Sequence, residues 1–189
     1  MSSVVVARWE DWAGRGLQHL VLAERPDGIV ADGVCVVAEE GVFAARFRIR
    51  CDTGWRCREL DLEVIGEDRT LRLRGDGLGR WTDGDGAALP ALAGAVDVDL
   101  PITPFTNTLP IRRLGLAAGA AAEIAVVYVR APALTVEIDR QRYTCLTPLR
   151  RYRYEAVDGT FTQEIEVDER GLVVTYPELF RRRPEPTAC

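Results

Sequence analysis

The sequence predicts a single all-β domain built from antiparallel strands. Apolar and polar residues alternate along most of the chain, turns that contain Gly separate the alternating segments, and no long segment has the 3.6-residue period of a helix. The chain has 189 residues, a usual length for one domain. We therefore expect one sandwich, barrel or roll over residues 1–189, with residues 184–189 forming a frayed tail.

The clearest strands lie between residues 43 and 76. The segment Phe43 to Asp52 alternates apolar residues with Arg46, Arg48 and Arg50, and segments 58–66 and 69–76 alternate leucines with charged residues. We expect a three-stranded meander in which the acidic face of the middle strand pairs with arginines on both neighbours. Further strands are expected at 4–9, 17–25, 123–130, 134–144, 150–157, 160–167 and 172–176, about a dozen in all.

Turns and helices are predicted from short local signals. Gly marks turns, because it accepts positive φ, at Pro26–Gly28, Ala31–Gly33, Glu39–Gly41 and Val157–Gly159. The Ala-rich segment 116–124 contains Gly119 and is interpreted as one helical turn or a loop. The segment 177–183 predicts a short C-terminal helix, because Pro177 and Glu178 suit a first turn and the arginines suit a last turn.

Composition disfavours several classes of protein. The net charge is -5, whereas nucleic-acid binding normally requires a basic excess. All the cationic residues apart from His19 are arginines, for which biased genomic composition is a better explanation than an anion site. His19 is the one histidine, and its alternating surroundings favour a packed strand residue over a catalytic base.

Neither a metal site nor an exported, disulfide-bonded protein is predicted. The five cysteines match no zinc spacing, and Asp76, Asp83 and Asp85 do not fit a calcium loop. We expect reduced thiols. The alternative is a Cys51–Cys57 disulfide, but Trp55 between them is expected in a strand that would hold the two thiols apart. Since no secretory signal and no membrane-spanning apolar stretch is visible, a cytoplasmic protein is expected.

The central segment, from Gly75 to Leu116, differs from the rest because turn residues and prolines interrupt the alternation. It offers hydrogen-bonding groups, an aromatic residue and two cations that would suit a polar head group at the mouth of an apolar pocket: Thr103, Phe105, Thr106, Asn107, Thr108, Arg112 and Arg113. The alternative is a loop whose polar side chains form their hydrogen bonds within the loop, because Thr and Asn bond readily to nearby backbone.

Asp97 and Asp99 are two residues apart, so on a strand they would share one face. Two carboxylates on one face of a strand could act as the acid and base of a hydrolase. The alternative, which we favour, is that they pair with Arg112 or Arg113 and hold the proline-rich segment in place.

Several segments resemble a known family: RWEDWAGRGLQHL, CDTGWRCREL, DGLGRW, VDVDLPITPFTNTLPIRRL and GLVVTYPELF. In this order, from about Ala7 to Arg183, they are similar to the bacterial putative glycolipid-binding proteins, although Ala95 stands where a cysteine is expected. The resemblance implies a spiral β-roll of about fifteen antiparallel strands, like that of bacterial lipoprotein carriers, and a lipid-like ligand.

Three functions follow from these observations. The first is a carrier that buries an amphipathic ligand in the roll without a cofactor; Arg112 and Arg113 would bind its head group with Thr103, Thr106 and Asn107. Trp81 and Phe105 would line the mouth, and Asp97 and Asp99 would orient the arginines. The second is a protein-interaction module whose interior is filled by side chains. The third is a hydrolase that uses Asp97 and Asp99.

Overall fold

The computed structural model describes residues 2–38 and 41–184, and these form one open sheet of fourteen strands. The strands are β1 (Ser3–Asp11), β2 (Leu17–Arg25), β3 (Gly28–Val37), β4 (Phe43–Cys51), β5 (Cys57–Val64), β6 (Arg69–Gly75), β7 (Trp81–Asp83), β8 (Asp97–Asp99), β9 (Ala121–Arg130), β10 (Thr135–Thr147), β11 (Arg151–Ala156), β12 (Thr162–Val167), β13 (Val173–Tyr176) and β14 (Phe180–Arg182). The predicted Glu39–Gly41 turn and the predicted tail fall wholly or partly outside the described residues.

The strand order is β7-β6-β5-β4-β3-β2-β1-β14-β13-β12-β11-β10-β9-β8. Neighbouring strands are antiparallel, apart from the short strand β8, which runs parallel to β9. The two ends of the sheet approach each other, since the indole N–H of Trp81 on β7 donates to the carbonyl of Ala95, just before β8, at 2.8 Å. The prediction of an antiparallel all-β roll is therefore confirmed.

Strands β4, β5 and β6 form the predicted meander. Glu59 lies between Arg50 on β4 and Arg74 on β6, with nitrogen–oxygen distances of 3.7 and 3.8 Å. Arg74 also donates to Asp61 at 2.9 Å. The leucines on the opposite face of β5 are buried in the core, so the alternation places charge outside and apolar area inside, as expected.

The predicted turn at Ala31–Gly33 is wrong, because these residues lie in the middle of β3. Gly33 is opposite Phe47 of β4, and the Phe47 ring covers the space that a side chain would occupy. Phe47 stacks in turn on Phe105, with ring centroids 6.3 Å apart. The glycine therefore permits close packing rather than a turn, and β3 is a strand that the sequence interpretation missed.

The predicted C-terminal helix is also wrong. Residues 177–179 form a turn, and Phe180–Arg182 is strand β14, which pairs with both β1 and β13. Arg181 bonds to Glu10, and Arg182 donates to Asp168 at 2.6 Å. Without β14 both neighbouring strands would have an open edge, so tertiary pairing overrides the local helix signals.

The α-helix of the described chain lies instead in the central segment of the sequence. A 3-10 helix at Pro104–Asn107 leads directly into α1 (Thr108–Leu114), which ends at Gly115 with φ of 54°. Pro110 is tolerated because it lies in the first turn of the helix. The Ala-rich segment is a loop with a turn at Ala118 and Gly119 that then enters β9, so it forms no helical turn. No helix of the described residues is long and apolar enough to cross a membrane.

The cysteines of the described chain are free, as predicted, and they are buried. Trp55 is not in a strand: it has φ of 62° in the turn between β4 and β5, which places Cys51 opposite Cys57. The contact with Cys51 and burial both raise the pKa of the Cys57 thiol. Burial raises the pKa of Cys35 to about 12, so this thiol stays protonated and unreactive.

A buried ion pair fixes α1 to the sheet. Both nitrogens on one side of the Arg113 guanidinium bind the Asp97 carboxylate, at 3.0 Å for Nε–Oδ1 and 2.5 Å for Nη2–Oδ2. The Asp97 side chain is 0% exposed and that of Arg113 is 17% exposed. Burial raises the pKa of Asp97, and the adjacent Arg113 opposes this rise.

We expect Gly33→Ala to destabilise the protein by about 1–3 kcal/mol, because a methyl group there would lie 2.9 Å or less from three atoms of the Phe47 ring. Urea unfolding measures the change. In a Phe47→Leu background the smaller side chain makes room, so the cost of Gly33→Ala should fall. An equal cost in both backgrounds would contradict the packing explanation.

We expect Arg113→Met to cost about 3 kcal/mol at neutral pH, because it leaves the Asp97 carboxylate buried without its partner. Since burial raises the pKa of Asp97, protonation at acid pH should neutralise the stranded charge, and the loss in unfolding free energy should shrink as the pH falls. Arg140→Met, which removes an exposed 3.6 Å contact with Glu123, is the control and should cost about 1 kcal/mol or less. Equal costs for the two variants, or a pH-independent cost for Arg113→Met, would refute this account.

Candidate functional site

The central segment forms hydrogen bonds within itself and to strands β8 and β10. The Thr103 hydroxyl accepts from the backbone N–H of Phe105 at 3.3 Å, and the Asn107 amide donates to the carbonyl of Pro104 at 3.2 Å. The Thr106 hydroxyl donates to Asp99 at 2.8 Å. Tyr143 donates to the side-chain oxygen of Asn107 at 2.9 Å. These bonds hold the segment rigidly against the sheet.

The two arginines predicted to bind a head group are separated. Arg113 binds Asp97, while the guanidinium of Arg112 lies 4.8 Å from the ring centroid of Trp55 and contacts Glu24. Arg112 also donates to the carbonyl of Arg170 at 3.1 Å. Each arginine is therefore committed to partners within the protein, and the two do not form one anion site.

The two aromatic residues predicted at the mouth are buried instead. Phe105 is 0% exposed and stacks on Phe47, and Trp81 is 3% exposed with its N–H bonded to Ala95. Both belong to the main core, in which side chains from the two halves of the sheet fill the interior. The space that we expected to hold a ligand is thus packed with protein at this position.

The two β8 carboxylates both bond to the helical segment. Asp97 binds Arg113, as predicted, whereas Asp99 accepts from Thr106 and from Gln141 rather than from an arginine. Asp97 is closed off from solvent, but Asp99 lines a cavity. The two acids therefore do not face one cleft together. Among the described residues no group of three or more His, Cys, Asp or Glu side chains could hold a metal ion.

The cavity that Asp99 lines has a volume of about 390 Å³ and lies between β8–β11, β13, β14, the loop after β11 and the central segment. We call it the aromatic–acidic cleft. Its lining residues are Asp99, Pro101, Thr103, Asn107, Tyr128, Arg130, Glu137, Asp139, Tyr154, Ala156, Asp158, Thr160, Phe161, Tyr176, Leu179 and Phe180. Of the predicted site residues, Asp99, Thr103 and Asn107 reach it.

Aromatic rings form one wall of the cleft. Tyr154, Phe161 and Tyr176 contact one another, with centroid distances of 5.9, 6.2 and 6.2 Å. Tyr128 lies on the neighbouring strand β9 and also lines the cleft. Burial raises the pKa of Tyr128, Tyr154 and Tyr176, so all three phenols are neutral hydrogen-bonding groups near pH 7.

Carboxylates form the other part of the lining: Asp99, Glu137, Asp139 and Asp158. The Gln141 amide nitrogen donates to Asp99 at 2.7 Å and to Asp139 at 3.1 Å, so one amide bridges two acids. Burial is the largest effect on Asp99 and raises its pKa; the Gln141 and Thr106 bonds oppose this, and nearby Asp139 adds to it.

Arg130 is the one cationic residue among the described residues that line the cleft. It donates to Glu137 at 2.6 and 2.9 Å, and its guanidinium lies 4.9 Å from the Tyr128 ring centroid. Its charge is therefore neutralised by a direct partner. The cleft as a whole has negative character, which is the reverse of the cationic site predicted from the sequence.

Sequence reasoning missed most of this site. Tyr128, Tyr154 and Tyr176 lie on three different strands, and in the sequence each fits the usual alternation of apolar and polar residues. Asp139 likewise lies within β10. A usable signal was the unusual pair of tyrosines at 152 and 154 in a strand, but nothing local indicates which distant strands join it.

The model of the family described as putative glycolipid-binding matches residues 6–182. A solved structure of a DUF1089 family protein from Pseudomonas aeruginosa is 42% identical, with a TM-score of 0.77. The match covers 88% of this chain and 92% of that one. A comparison with curated proteins finds no match. The chain therefore belongs to the family of putative glycolipid-binding proteins.

Proposed function

We propose that this protein binds the hydroxyl-bearing head of an amphipathic, glycolipid-like ligand in the aromatic–acidic cleft. The observation that carries the proposal is the meeting of aromatic rings and carboxylates in one cavity of about 390 Å³, a size suited to a small ligand. The family description supports the same ligand class.

Sugars match the two kinds of lining group. Each sugar ring has C–H faces that pack on aromatic rings and hydroxyls that donate hydrogen bonds. Tyr154 and Tyr176 offer the first kind of contact, and Asp99 and Asp139 offer the second. Asn107 and Thr103 stand at the same wall as neutral polar groups.

The negative charge of the cleft favours ligands whose head group is neutral or cationic. Four carboxylates line it against one arginine, and that arginine is paired with Glu137. An anionic head group would face repulsion without a free cation to offset it. This differs from our expectation that Arg112 and Arg113 bind the head group, since both have protein partners elsewhere.

A protein-interaction module is the second candidate. The packed main core, with Phe47 stacked on Phe105, favours it because the interior needs no ligand to fill it. The hydrolase hypothesis gains no such support: Asp97 is held by Arg113 and does not reach the cleft that Asp99 lines.

We expect Asp139→Asn to weaken binding of octyl β-D-glucoside about tenfold or more, because a hydrogen bond to a charged group contributes about 1.5–3 kcal/mol. Ligand-observed NMR below the critical micelle concentration measures the affinity. Glu123→Gln removes a carboxylate outside the cleft and should leave the affinity unchanged.

The same titration with octyl sulfate tests the charge argument. Wild type should bind it far more weakly than the glucoside, since the cleft is negative. The proposal fails if Asp139→Asn binds the glucoside as well as wild type does. Preference for octyl sulfate would equally overturn it.

As the pH is lowered, we expect the affinity for the glucoside to fall at a higher pH than titration of an ordinary aspartate would produce. Burial raises the pKa of Asp99, so as the pH falls Asp99 takes up a proton above its usual range and loses an acceptor oxygen. Affinity should therefore be full above that pKa and fall through it.

The Asp99→Asn variant cannot titrate at this position, so its affinity should be lower near neutral pH and should lack that step. Circular dichroism at each pH confirms that the fold persists. A wild-type profile identical in shape to that of Asp99→Asn would exclude Asp99 as the titrating group.

A further inference from the structure

Two neighbouring carboxylates of the aromatic–acidic cleft, Asp99 and Asp139, have only neutral partners; we call them the acidic pair. The Gln141 amide nitrogen lies 2.7 Å from an oxygen of Asp99 and 3.1 Å from an oxygen of Asp139. Thr106 is the other side-chain donor to Asp99, and neither acid forms an ion pair within the described residues. Since one nitrogen contacts both carboxylates, their two negative charges lie close together and repel each other.

The other acids at this position are compensated in other ways. Asp97, the neighbouring acid on β8, is bound by the guanidinium of Arg113. Glu137 lines the cleft but bonds to Arg130 at 2.6 Å. Asp158 is exposed, so water screens its charge. The acidic pair therefore carries the unbalanced negative charge of the inner cleft, and a cation from outside the protein would stabilise it.

Two buried tyrosine hydroxyls in the wall of the cleft also lack a partner. Tyr154 is 9% exposed and Tyr176 is 5% exposed, and neither hydroxyl forms a hydrogen bond within the described residues. Neither oxygen is completely enclosed by protein, and both residues line the cleft. A buried polar group without a partner is unfavourable, so a ligand in the cleft can supply the missing hydrogen bonds.

The two hydroxyls lie close enough to the acidic pair to be influenced by its charge. Burial raises the pKa of Tyr154 most, and the nearby carboxylates of Asp99 and Asp139 raise it further. Burial is again the largest cause that raises the pKa of Tyr176, followed by Tyr154 and Asp99. A primary ammonium group has three N–H donors, which match carboxylate and phenol oxygens in one place, and the faces of aromatic rings also attract a cation.

We propose that the acidic pair binds a protonated primary amine, so that the head group held in the cleft is an amino sugar with a free ammonium group. This inference rests on the proposed function, because it names the class of head group that the same cleft binds. The ammonium group donates to Asp99 and Asp139, and the phenol oxygens of Tyr154 and Tyr176 accept its remaining hydrogen. No group of three or more His, Cys, Asp or Glu side chains in the described chain could hold a metal ion, so an organic cation is the better match.

Three matched ligands test the inference: octyl β-D-glucosaminide, octyl β-D-glucoside and octyl N-acetyl-β-D-glucosaminide. They differ at one position of the sugar, which carries an ammonium, a hydroxyl or an acetamide group. Ligand-observed NMR slightly below pH 7 and below the critical micelle concentration measures the three affinities. Wild type should bind the glucosaminide about tenfold or more tightly than either neutral sugar, because a hydrogen bond to a charged group contributes about 1.5–3 kcal/mol.

Variants of the acidic pair show whether this preference has the proposed cause. Asp139→Asn removes one of the two charges and should abolish most of the preference for the glucosaminide over the glucoside. Asp99→Asn should do the same, and the half-buried position of Asp139 keeps the test valid where Asp99→Asn perturbs folding. Glu123→Gln removes a carboxylate outside the cleft and should retain the full preference.

The tyrosine hydroxyls are tested with Tyr154→Phe and Tyr176→Phe, which keep the rings. Each variant should bind the glucosaminide about threefold or more weakly, since it loses an acceptor. Its midpoint of urea unfolding should not fall, because the hydroxyl has no partner within the protein to lose. Unchanged affinity in both variants would overturn the placement of the ammonium group at the tyrosine wall.

Octylammonium separates an amino sugar from a simple amine, because it carries the charge without the sugar hydroxyls. It should bind more weakly than the glucosaminide. Tighter binding of octylammonium would overturn the amino-sugar class.

The remaining outcomes separate this inference from the proposed function. If wild type binds the glucoside and the glucosaminide equally, or if Asp139→Asn keeps the full preference, the amine inference is overturned and the head-group function stands. Tighter binding of the N-acetyl ligand would overturn the inference in the same way. If none of the three sugars binds, the head-group function is overturned, and the amine inference with it.

Discussion

The ion pair between Asp97 and Arg113 is the constraint on which the central part of this protein depends. Strand β8 has only three residues, runs parallel to β9 and forms an end of the sheet, so its hydrogen bonds alone hold it weakly. The bidentate bond from Arg113 on α1 anchors β8, and it thereby positions the segment between Asp97 and Arg113. That segment carries Thr103 and Asn107 to the cleft and Phe105 to the core. A buried charge pair gains little stability over an apolar pair, but it fixes one geometry.

The features that the sequence predicts well are those decided within one or two strands. Alternation identified the meander of β4, β5 and β6, including the arginines that flank Glu59, because period two directly sets which face is buried. The failures occur where distant contacts decide. Gly33 is strand rather than turn because Phe47 needs its space, and residues 180–182 are strand rather than helix because β1 and β13 both need a partner. Neither requirement is visible locally.

The site shows the same division. Clustered polar residues among prolines mark the central segment as an unusual backbone path, and three of the residues singled out there, Asp99, Thr103 and Asn107, line the cleft. Arg112 and Arg113 were expected to act together, but adjacent residues of a helix point about 100° apart, and these two reach Glu24 and Asp97 on different sides. The tyrosines come from β9, β11 and β13, whose neighbours are fixed by the order of the whole sheet. A cleft assembled from separate strands cannot be read from any single one of them.

The hydrogen bonding around Gln141 explains why the cleft is suited to a ligand with several hydroxyls. One amide group supplies the donors for both Asp99 and Asp139, and Thr106 adds one more to Asp99. Carboxylates accept more bonds than these, so oxygen lone pairs remain for further donors. Burial makes their ionised form costly, which is why the pKa of Asp99 is raised. A ligand hydroxyl would restore the solvation that burial removes, and its ring carbons would pack on Tyr154 and Tyr176, so both requirements of this cleft are met by a single sugar.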